Sequence, residues 1–347
     1  MTKLKSSDDS RLADGVKYFV RDDFRHSSDV SVAHNFGHVD RVATGAYLIV
    51  KALGGTEREA EAARAGGYLH DLVRSHTQTI DDESLSVEKA RPLLSQLVKS
   101  GTFTEWEKSA ILASIRTVTV PGELLASQDK DRPSYFLEDR SRLIRLAVFL
   151  ADKLEANGAY VIARRSQFVG GERFNIGDLK DIKQHPSVEK FDPEMAILLE
   201  SYLRLGVKNR QSFYPKWFLP VVEKLFERQR EFYYALLSDK GLQEADLARM
   251  LIDLKFPDAK VEDIKKYEAT RSDSRMQIAA ATPEMIKAAL EVVKFFSAPE
   301  NMRIDTAGLI RKFNPTTQKA KEWHEEMLSY LKGGIGSLIS ELKIPEA

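Results

Sequence analysis

Apolar residues recur at helical spacing along most of the chain, with polar residues between them. The clearest segments are 41–53, 59–73, 86–98, 105–115 and 141–156. The alternation that is typical of a strand is confined to a short stretch at 117–120. The pattern therefore predicts an all-α protein.

Two polar stretches interrupt the helical pattern. Residues 120–134 are rich in Pro, Gly, Asp and Ser, and we predict a loop that could fold over a site. Residues 255–284 are weakly periodic, but the Thr-Pro-Glu at 282–284 predicts a new helix with Thr as its N-cap and Pro at its first position. We place a boundary near 256, which separates a first domain, 1–256, from a C-terminal helical extension, 257–347, of two or three helices.

Composition narrows the classes of protein to which the chain can belong. Lysine plus arginine equals aspartate plus glutamate at 52 each, which disfavours nucleic acid as a partner without excluding a local basic patch. The absence of cysteine excludes disulfides, thiolate zinc sites and a cysteine nucleophile. The polar N-terminus and the short apolar runs predict a cytoplasmic protein with no membrane partner.

The histidines are clustered. Five of the seven lie within residues 26–76, and His34 and His38 would share one face of a helix. His70 and Asp71 follow an apolar run and offer a nitrogen and an oxygen donor, a combination that suits Mn, Fe, Co, Ni or Zn and also accepts Mg. The ordinary alternative for the pair is a core histidine beside a solvated aspartate.

Asp152 ends the apolar run 143–151, which predicts a buried helix. A carboxylate at that position costs free energy unless a cation or several hydrogen-bond donors compensate it. A bound metal is one such compensation, and an ion pair with Lys153 or Arg145 is the alternative.

Taken in order, His38, His70-Asp71 and Asp152 resemble the signature of the HD superfamily of metal-dependent phosphohydrolases. Flanking residues extend the resemblance: HNFGHVDRV at 34–42, YLHDLVR at 68–74 and ADKLEANGAYVIARRSQFVGG at 151–171. The last of these is most similar to the small bacterial YedJ-like HD hydrolases. The resemblance covers roughly residues 20–220, so we expect 1–256 to form an HD phosphohydrolase domain.

The resemblance implies a helical bundle in which His38, His70, Asp71 and Asp152 bind a divalent ion (Mn, Mg, Co, Ni, Zn or Fe). A metal-activated water would then hydrolyse a phosphate mono- or diester, with a nucleotide as the favoured substrate. The alternative is a non-catalytic HD-fold nucleotide-binding or interaction protein, against which the intact ligand set argues. A metal-dependent lyase or oxygenase is a third reading.

One departure from the family concerns the number of metal ions. Many HD proteins carry additional histidines before the last aspartate, and these help to hold a second metal. The segment 105–120 contains none, and Ser114 or Arg116 stands about where one is expected. We therefore expect one metal ion, which also argues against the di-iron oxygenases of the superfamily.

Further site residues follow from this hypothesis of the mechanism and from their positions along the helices, since Arg74 lies one turn after His70-Asp71 and Arg164 on the helix after Asp152. Asp71 is expected to orient or deprotonate the water, and Arg74 to grip a phosphate with two hydrogen bonds. His34 would bind phosphate or act as an acid for the leaving oxygen, and Arg164 is a further phosphate candidate. The ordinary alternatives are a surface salt bridge for Arg74, helix stabilisation for His34 and a solvated face for Arg164. The expected partner is a small phosphorylated substrate, and a homo-oligomer is left open.

Overall fold

The computed structural model describes residues 12–26, 34–73, 82–118, 128–168, 214–243, 282–298, 300 and 305–340. In this part of the chain every regular element is helical and no strand occurs, which confirms the all-α prediction. The helices are α1 (Asp14–His26), α2 (Phe36–Ala52), α3 (Glu57–Leu69), α4 (Asp82–Lys99), α5 (Glu105–Arg116), α6 (Pro133–Leu137), α7 (Arg140–Glu155), α8 (Ala159–Phe168), α9 (Leu219–Asp239), α10 (Pro283–Ser297), α11 (Thr306–Lys312), α12 (Gln318–Gly333) and α13 (Gly336–Ser340).

The chain divides into two compact units. The first contains the described parts of Met1–Asn157, Gln211–Lys224 and Tyr330–Ala347, and the second contains those of Gly158–Arg210 and Leu225–Ser329. The predicted boundary near 256 lies outside the described residues, and the domain division stays a prediction.

In the first unit, α7 lies at the centre of the packing. It contacts α2, α3 and α5, and α2 in turn packs along α3. The run that was predicted to be buried is buried, since residues 146–151 have almost no exposed surface. Burying such a row of apolar side chains supplies the main driving force for this helix to occupy the core.

Several helices begin earlier than their apolar pattern. Thr56 and Glu59 form a reciprocal capping box at the start of α3, and Thr104 and Glu107 do the same for α5. These side chains satisfy backbone N–H groups that have no partner inside the helix. The spacing of apolar residues identifies only the buried face of a helix. The predicted start of α3 therefore lies two residues after the observed start at Glu57.

The C-terminal region keeps its predicted start. Thr282 accepts a hydrogen bond from the Met285 N–H, and Pro283 occupies the first position of α10, as predicted. After residue 256 the described part contains four helices instead of two or three, because α11 and α13 are too short to show a period. The apolar segment 290–296 belongs to α10, which packs on α8 in the second unit, whereas α13 packs on α2 in the first.

Within the second unit, aromatic and charged contacts connect α9 with α12. Phe232 of α9 and Trp323 of α12 meet edge to face with ring centroids 5.3 Å apart. Beside them Arg228 Nε donates to Glu326 Oε2 at 2.9 Å, and burial raises the pKa of the Glu326 carboxyl above its usual value. This carboxylate also accepts the Ala159 N–H, which caps the start of α8.

The predicted loop 120–134 is helical at its end. Residues 119–127 lie outside the described part, but Gln128–Asp131 forms a 3₁₀ turn and α6 follows. The Lys216 N–H donates to Asp131 Oδ1 at 2.7 Å, and Trp217 Nε1 donates to the Lys130 carbonyl at 3.2 Å. This turn is therefore held to another part of the first unit, and the idea of a lid stays a prediction.

Two adjacent glycines let α3 approach its neighbours closely. A Cβ at Gly67 would lie 2.5 Å from the Ala43 Cα on α2, and a Cβ at Gly66 would lie 2.4 Å from Ser114 Oγ on α5. The first clash is with backbone, which side-chain movement cannot relieve. The crossing of α2 and α3 therefore requires glycine at 67, three residues before His70.

We expect Gly67→Ala to lower the free energy of unfolding by about 3 kcal/mol, because the added methyl group overpacks a backbone contact. Gly15→Ala in α1 is the matched control. A Cβ at Gly15 would meet only Leu97 Cδ2, at the ordinary contact distance of 3.6 Å. Alanine there should be neutral or stabilise the protein by about 0.5–1 kcal/mol. Urea unfolding of both variants measures the difference, and equal stabilities would contradict the proposed crossing.

Candidate metal centre

Three helices of the first unit bring the predicted ligands together. His38 lies in the first turn of α2, where Asn35 caps the helix by accepting the His38 N–H at 3.1 Å. His70 is the C-cap of α3 and Asp71 follows it, so the helix ends at the pair. Asp152 lies in the last turn of α7. Helix ends thus place all four side chains.

The four side chains converge on a small volume. His38 Nε2 lies 3.3 Å from Asp71 Oδ2 and 3.6 Å from Asp152 Oδ1. His70 Nε2 lies 3.4 Å and 3.7 Å from the same two oxygens. The donor atoms of His38, His70 and Asp71 all fall within 4.8 Å of one another, and all three residues are buried.

Both imidazoles direct Nε2 into this volume. The other ring nitrogen of His70 lies 2.8 Å from the Gly67 carbonyl, and that of His38 lies 3.3 Å from Glu155 Oε1. In the neutral ring, each acceptor favours the tautomer with hydrogen on Nδ1 and a lone pair on Nε2. The two Nε2 atoms are buried and have no hydrogen-bond partner among the described residues. Buried polar atoms without a partner are costly, so this pair calls for a ligand.

A divalent ion fits this donor set. Ligand atoms about 2.1 Å from one ion and 90–110° apart are separated by about 3.0–3.4 Å. The separations between imidazole nitrogens and carboxylate oxygens, 3.3–3.7 Å, are only slightly wider. Two imidazoles and two carboxylates also match the preference of Mn, Fe, Co, Ni and Zn for mixed nitrogen and oxygen ligands.

The electrostatics of the cluster favour a positive charge at its centre. Burial lowers the pKa of His70, but the Asp71 and Asp152 carboxylates outweigh it and raise that pKa to about 10. Burial raises the pKa of Asp71, yet the neighbouring histidines hold it well below its usual value. The protein thus keeps the Asp71 carboxylate ionised at a buried position, where positive charge is needed to balance it.

Asp152 has one of the two compensations that the sequence left open, an ion pair with Lys153, and its other oxygen faces the candidate metal site. Its Oδ1 faces the histidines, while its Oδ2 accepts a 2.7 Å bond from Lys153 Nζ. Lys153 is the nearby cation that most strongly keeps the pKa of this buried carboxyl well below normal, and His70 and His38 add to the effect. Arg145 instead directs Nε toward Thr117 Oγ1. About one-fifth of the Asp152 and Lys153 side chains is exposed, so the cluster reaches solvent on this side.

Sequence reasoning missed a second layer of residues behind His38. Glu155 is fully buried, and its Oε1 lies beside His38 Nδ1. Arg41 donates to the same oxygen through Nε at 2.8 Å and Nη2 at 2.7 Å. Glu155 lies three residues after Asp152 on an apolar helix, and Arg41 three residues after His38. That helical spacing was a usable signal.

The other predicted site residues have mixed outcomes. His34 stands edge to face with His38 at a centroid distance of 5.9 Å, and its proximity helps to lower the pKa of Asp71. Arg74 lies outside the described residues. Arg164 is buried in α8 of the second unit, so it is not part of a solvated face. The roles proposed for all three stay predictions.

Ser114 does not take the place of a histidine ligand. It is buried, and its hydroxyl donates to the Ile111 carbonyl at 2.7 Å within α5. Its side chain packs where Gly66 leaves space on α3. The expectation of a single metal ion stays a prediction.

Residues 35–157 match the model of the HD domain family. The match covers about a third of the chain and includes all four predicted ligands. HD domains are all-α and typically bind divalent metals as metal-dependent hydrolases, in keeping with the buried cluster of His38, His70 and Asp71.

Comparisons with curated proteins and with solved structures give no match. The closer similarity to the YedJ-like hydrolases rests on 151–171 and stays a prediction. Among the described helices, none combines the length and apolar character needed to cross a bilayer.

We expect a divalent metal to stabilise the protein. Metal at about 1,000 times its dissociation constant should add about 4 kcal/mol to the free energy of unfolding. His38→Asn and Asp152→Asn should lose most of this gain, whereas His26→Asn, at an exposed position of α1, should keep it. Thermal unfolding of chelator-treated protein, with and without Mn²⁺ or Zn²⁺, measures the effect. An equal gain in all variants would place the metal elsewhere.

We expect metal affinity to rise with pH. Because the metal-free His70 pKa is raised to about 10, this ring carries an additional proton at neutral pH that must leave before Nε2 can bind an ion. The apparent affinity should therefore increase about tenfold per pH unit below that value. Calorimetric titrations at pH 7 and 9, in buffers of different ionisation enthalpy, measure affinity and proton release. Equal affinities with no release would contradict the expectation.

Proposed function

We propose that this protein is a metal-dependent phosphohydrolase that cleaves a phosphate mono- or diester, with nucleotides as the first substrate class to examine. The observation that carries the proposal is the convergence of two partnerless imidazole nitrogens with two ionised carboxylates inside an HD domain. The proposed ligands are His38, His70, Asp71 and Asp152.

A divalent ion held by these groups would supply a Lewis acid for a phosphate oxygen and lower the pKa of a water molecule. Asp71 is proposed to orient that water in addition to its role as a ligand. Because the pKa of Asp71 is held low, its carboxylate binds a proton weakly. It therefore serves better as a hydrogen-bond acceptor for the water than as a strong base.

Two further side chains support the handling of an anionic substrate. Lys153 stands at the more exposed side of the cluster, where its ammonium group would offset part of a phosphate charge. His34 lies beside His38 and would donate a hydrogen bond to the leaving oxygen. Arg74 remains a proposed phosphate ligand on the basis of its sequence position alone.

The alternative is an HD domain that binds a nucleotide without turning it over. Such a protein would be expected to lose at least one ligand, because catalysis no longer constrains the site. All four candidate ligands are present and mutually close. This observation favours the hydrolase.

We expect the chelator-treated protein to gain phosphatase or phosphodiesterase activity on nitrophenyl phosphate or bis-nitrophenyl phosphate when Mn, Mg, Co, Ni, Zn or Fe(II) is restored. Asp71→Ala should lower that activity about 10³-fold, because several kcal/mol of charge stabilisation at the metal is lost. Asp239→Ala, at an exposed helix end, is the control and should leave it unchanged.

The ester that is cleaved would direct a subsequent nucleotide screen toward monoesters or diesters. A protein that binds metal at the cluster, but is inactive on these esters and on a nucleotide panel, would support the non-catalytic alternative. Activity that survives in Asp71→Ala would contradict the proposed centre.

A further inference from the structure

The Tyr330 hydroxyl contacts Glu155, the carboxylate behind the candidate ligand His38, although it lies far from Glu155 in the sequence. It donates to Glu155 Oε2 at 2.8 Å, across 175 positions of chain. Tyr330 belongs to the first unit, and the contact is buried, with 1% of Glu155 and 7% of Tyr330 exposed. It lies outside residues 35–157, so this hydroxyl is not supplied by the matched HD domain.

Both oxygens of the Glu155 carboxylate are held by donors. Oε2 accepts from Tyr330, while Oε1 accepts from Arg41 at 2.7–2.8 Å and faces His38 Nδ1 at 3.3 Å. The Arg41 guanidinium also lies over the Tyr330 ring, 5.8 Å from its centroid. A hydrogen bond to one oxygen restrains rotation of the whole carboxylate, so the bond from Tyr330 to Oε2 also restrains the position of Oε1. Tyr330 therefore bears on the orientation of the His38 ring.

The segment that follows Tyr330 packs closely against α2. A Cβ at Gly45 would lie 2.7 Å from Ile335 Cδ1, so the absence of a side chain there makes room for Ile335. A Cβ at Gly336 would come within 3.1 Å of Leu48 Cδ1, so the approach is also close, though slightly wider, about one turn further along α2. Ile335 and Ile339 are both buried. This packing holds residues 330–340 against the helix that carries His38.

We propose that Tyr330 is a positioning residue of the metal centre. It holds Glu155 so that this carboxylate keeps hydrogen on His38 Nδ1 and directs Nε2 toward the metal. The C-terminal segment is then required for full metal affinity. The inference rests on the proposed function only in assuming that the cluster binds a divalent ion.

The size of the expected effect follows from other metal sites. Removing a hydrogen-bonded group behind a ligating histidine typically costs 10–100-fold in affinity. Tyr330 acts one group further back than Glu155, so we expect about tenfold for its hydroxyl and more for the Glu155 carboxylate. A hydroxyl that only satisfies a buried carboxylate would change stability and leave affinity alone.

The test compares Tyr330→Phe with Tyr47→Phe in the full-length, chelator-treated protein. Tyr47 lies on the same helix as His38, and its hydroxyl also donates to a carboxylate, Glu57 Oε1, at 2.7 Å. Competition with a chelating dye gives the affinity for Zn²⁺ and Mn²⁺. We expect Tyr330→Phe to weaken both about tenfold, Tyr47→Phe to leave them unchanged, and Glu155→Gln to have the largest effect.

Nitrogen NMR of the metal-free protein supplies a readout that stability cannot move. In the wild type and in Tyr47→Phe we expect the His38 ring to keep its hydrogen on Nδ1, and in Tyr330→Phe we expect a mixture of tautomers. Ile335→Ala keeps the hydroxyl but loosens its seat, so it should weaken affinity by less than Tyr330→Phe.

Affinities in Tyr330→Phe and Tyr47→Phe that agree within about twofold, below the range seen for such groups, would overturn the inference and leave the proposed function intact. A wild-type protein that binds neither ion would overturn both. An affinity loss in Tyr330→Phe with the His38 tautomer unchanged would show that the hydroxyl does not act through His38, and would also overturn the inference.

Discussion

The structure of the first unit depends on how two carboxylates, one buried and one about one-fifth exposed, are kept ionised. Asp71 and Asp152 lie at helix ends with their oxygens directed at His38 and His70, and their charges cannot be left uncompensated in a nonpolar core. Lys153 balances one oxygen of Asp152. Two histidine nitrogens without a hydrogen-bond partner and two anionic oxygens surround a small volume. A divalent ion in that volume would both bind the nitrogens and balance the carboxylate charges.

Helix packing makes that convergence possible. Gly67 allows the backbone of α3 to approach that of α2 near Ala43, and this crossing lies three residues from His70 and five from His38. A larger residue at 67 would separate the two imidazoles as well as the two helices. The same residues that build the core therefore set the spacing of the candidate ligands, which ties metal affinity to packing density.

The residues that hold the candidate ligands in place by hydrogen bonds lie at very different distances from those ligands along the sequence. Gly67 is local to His70, Glu155 belongs to the helix of Asp152, and Tyr330 comes from beyond the HD domain match. A layer of this kind decides ring orientation and tautomer, and thereby whether a nitrogen can bind metal. The segment that begins at Tyr330 thus contributes to the first unit.

The sequence alone predicted the all-α class, the buried helix ahead of Asp152 and the helix start at Thr282. These features depend on hydrophobic periodicity and capping, which are local properties of the chain. The identity of the four candidate ligands was legible only through family resemblance, since the local pattern left each one an ordinary alternative. The role of Glu155 was accessible in principle, because helical spacing places it one turn after Asp152. The contact of Tyr330 with Glu155 was not, because no local rule relates residues 175 positions apart. Only the folded core, through the close packing of Ile335 against Gly45, decides that they meet.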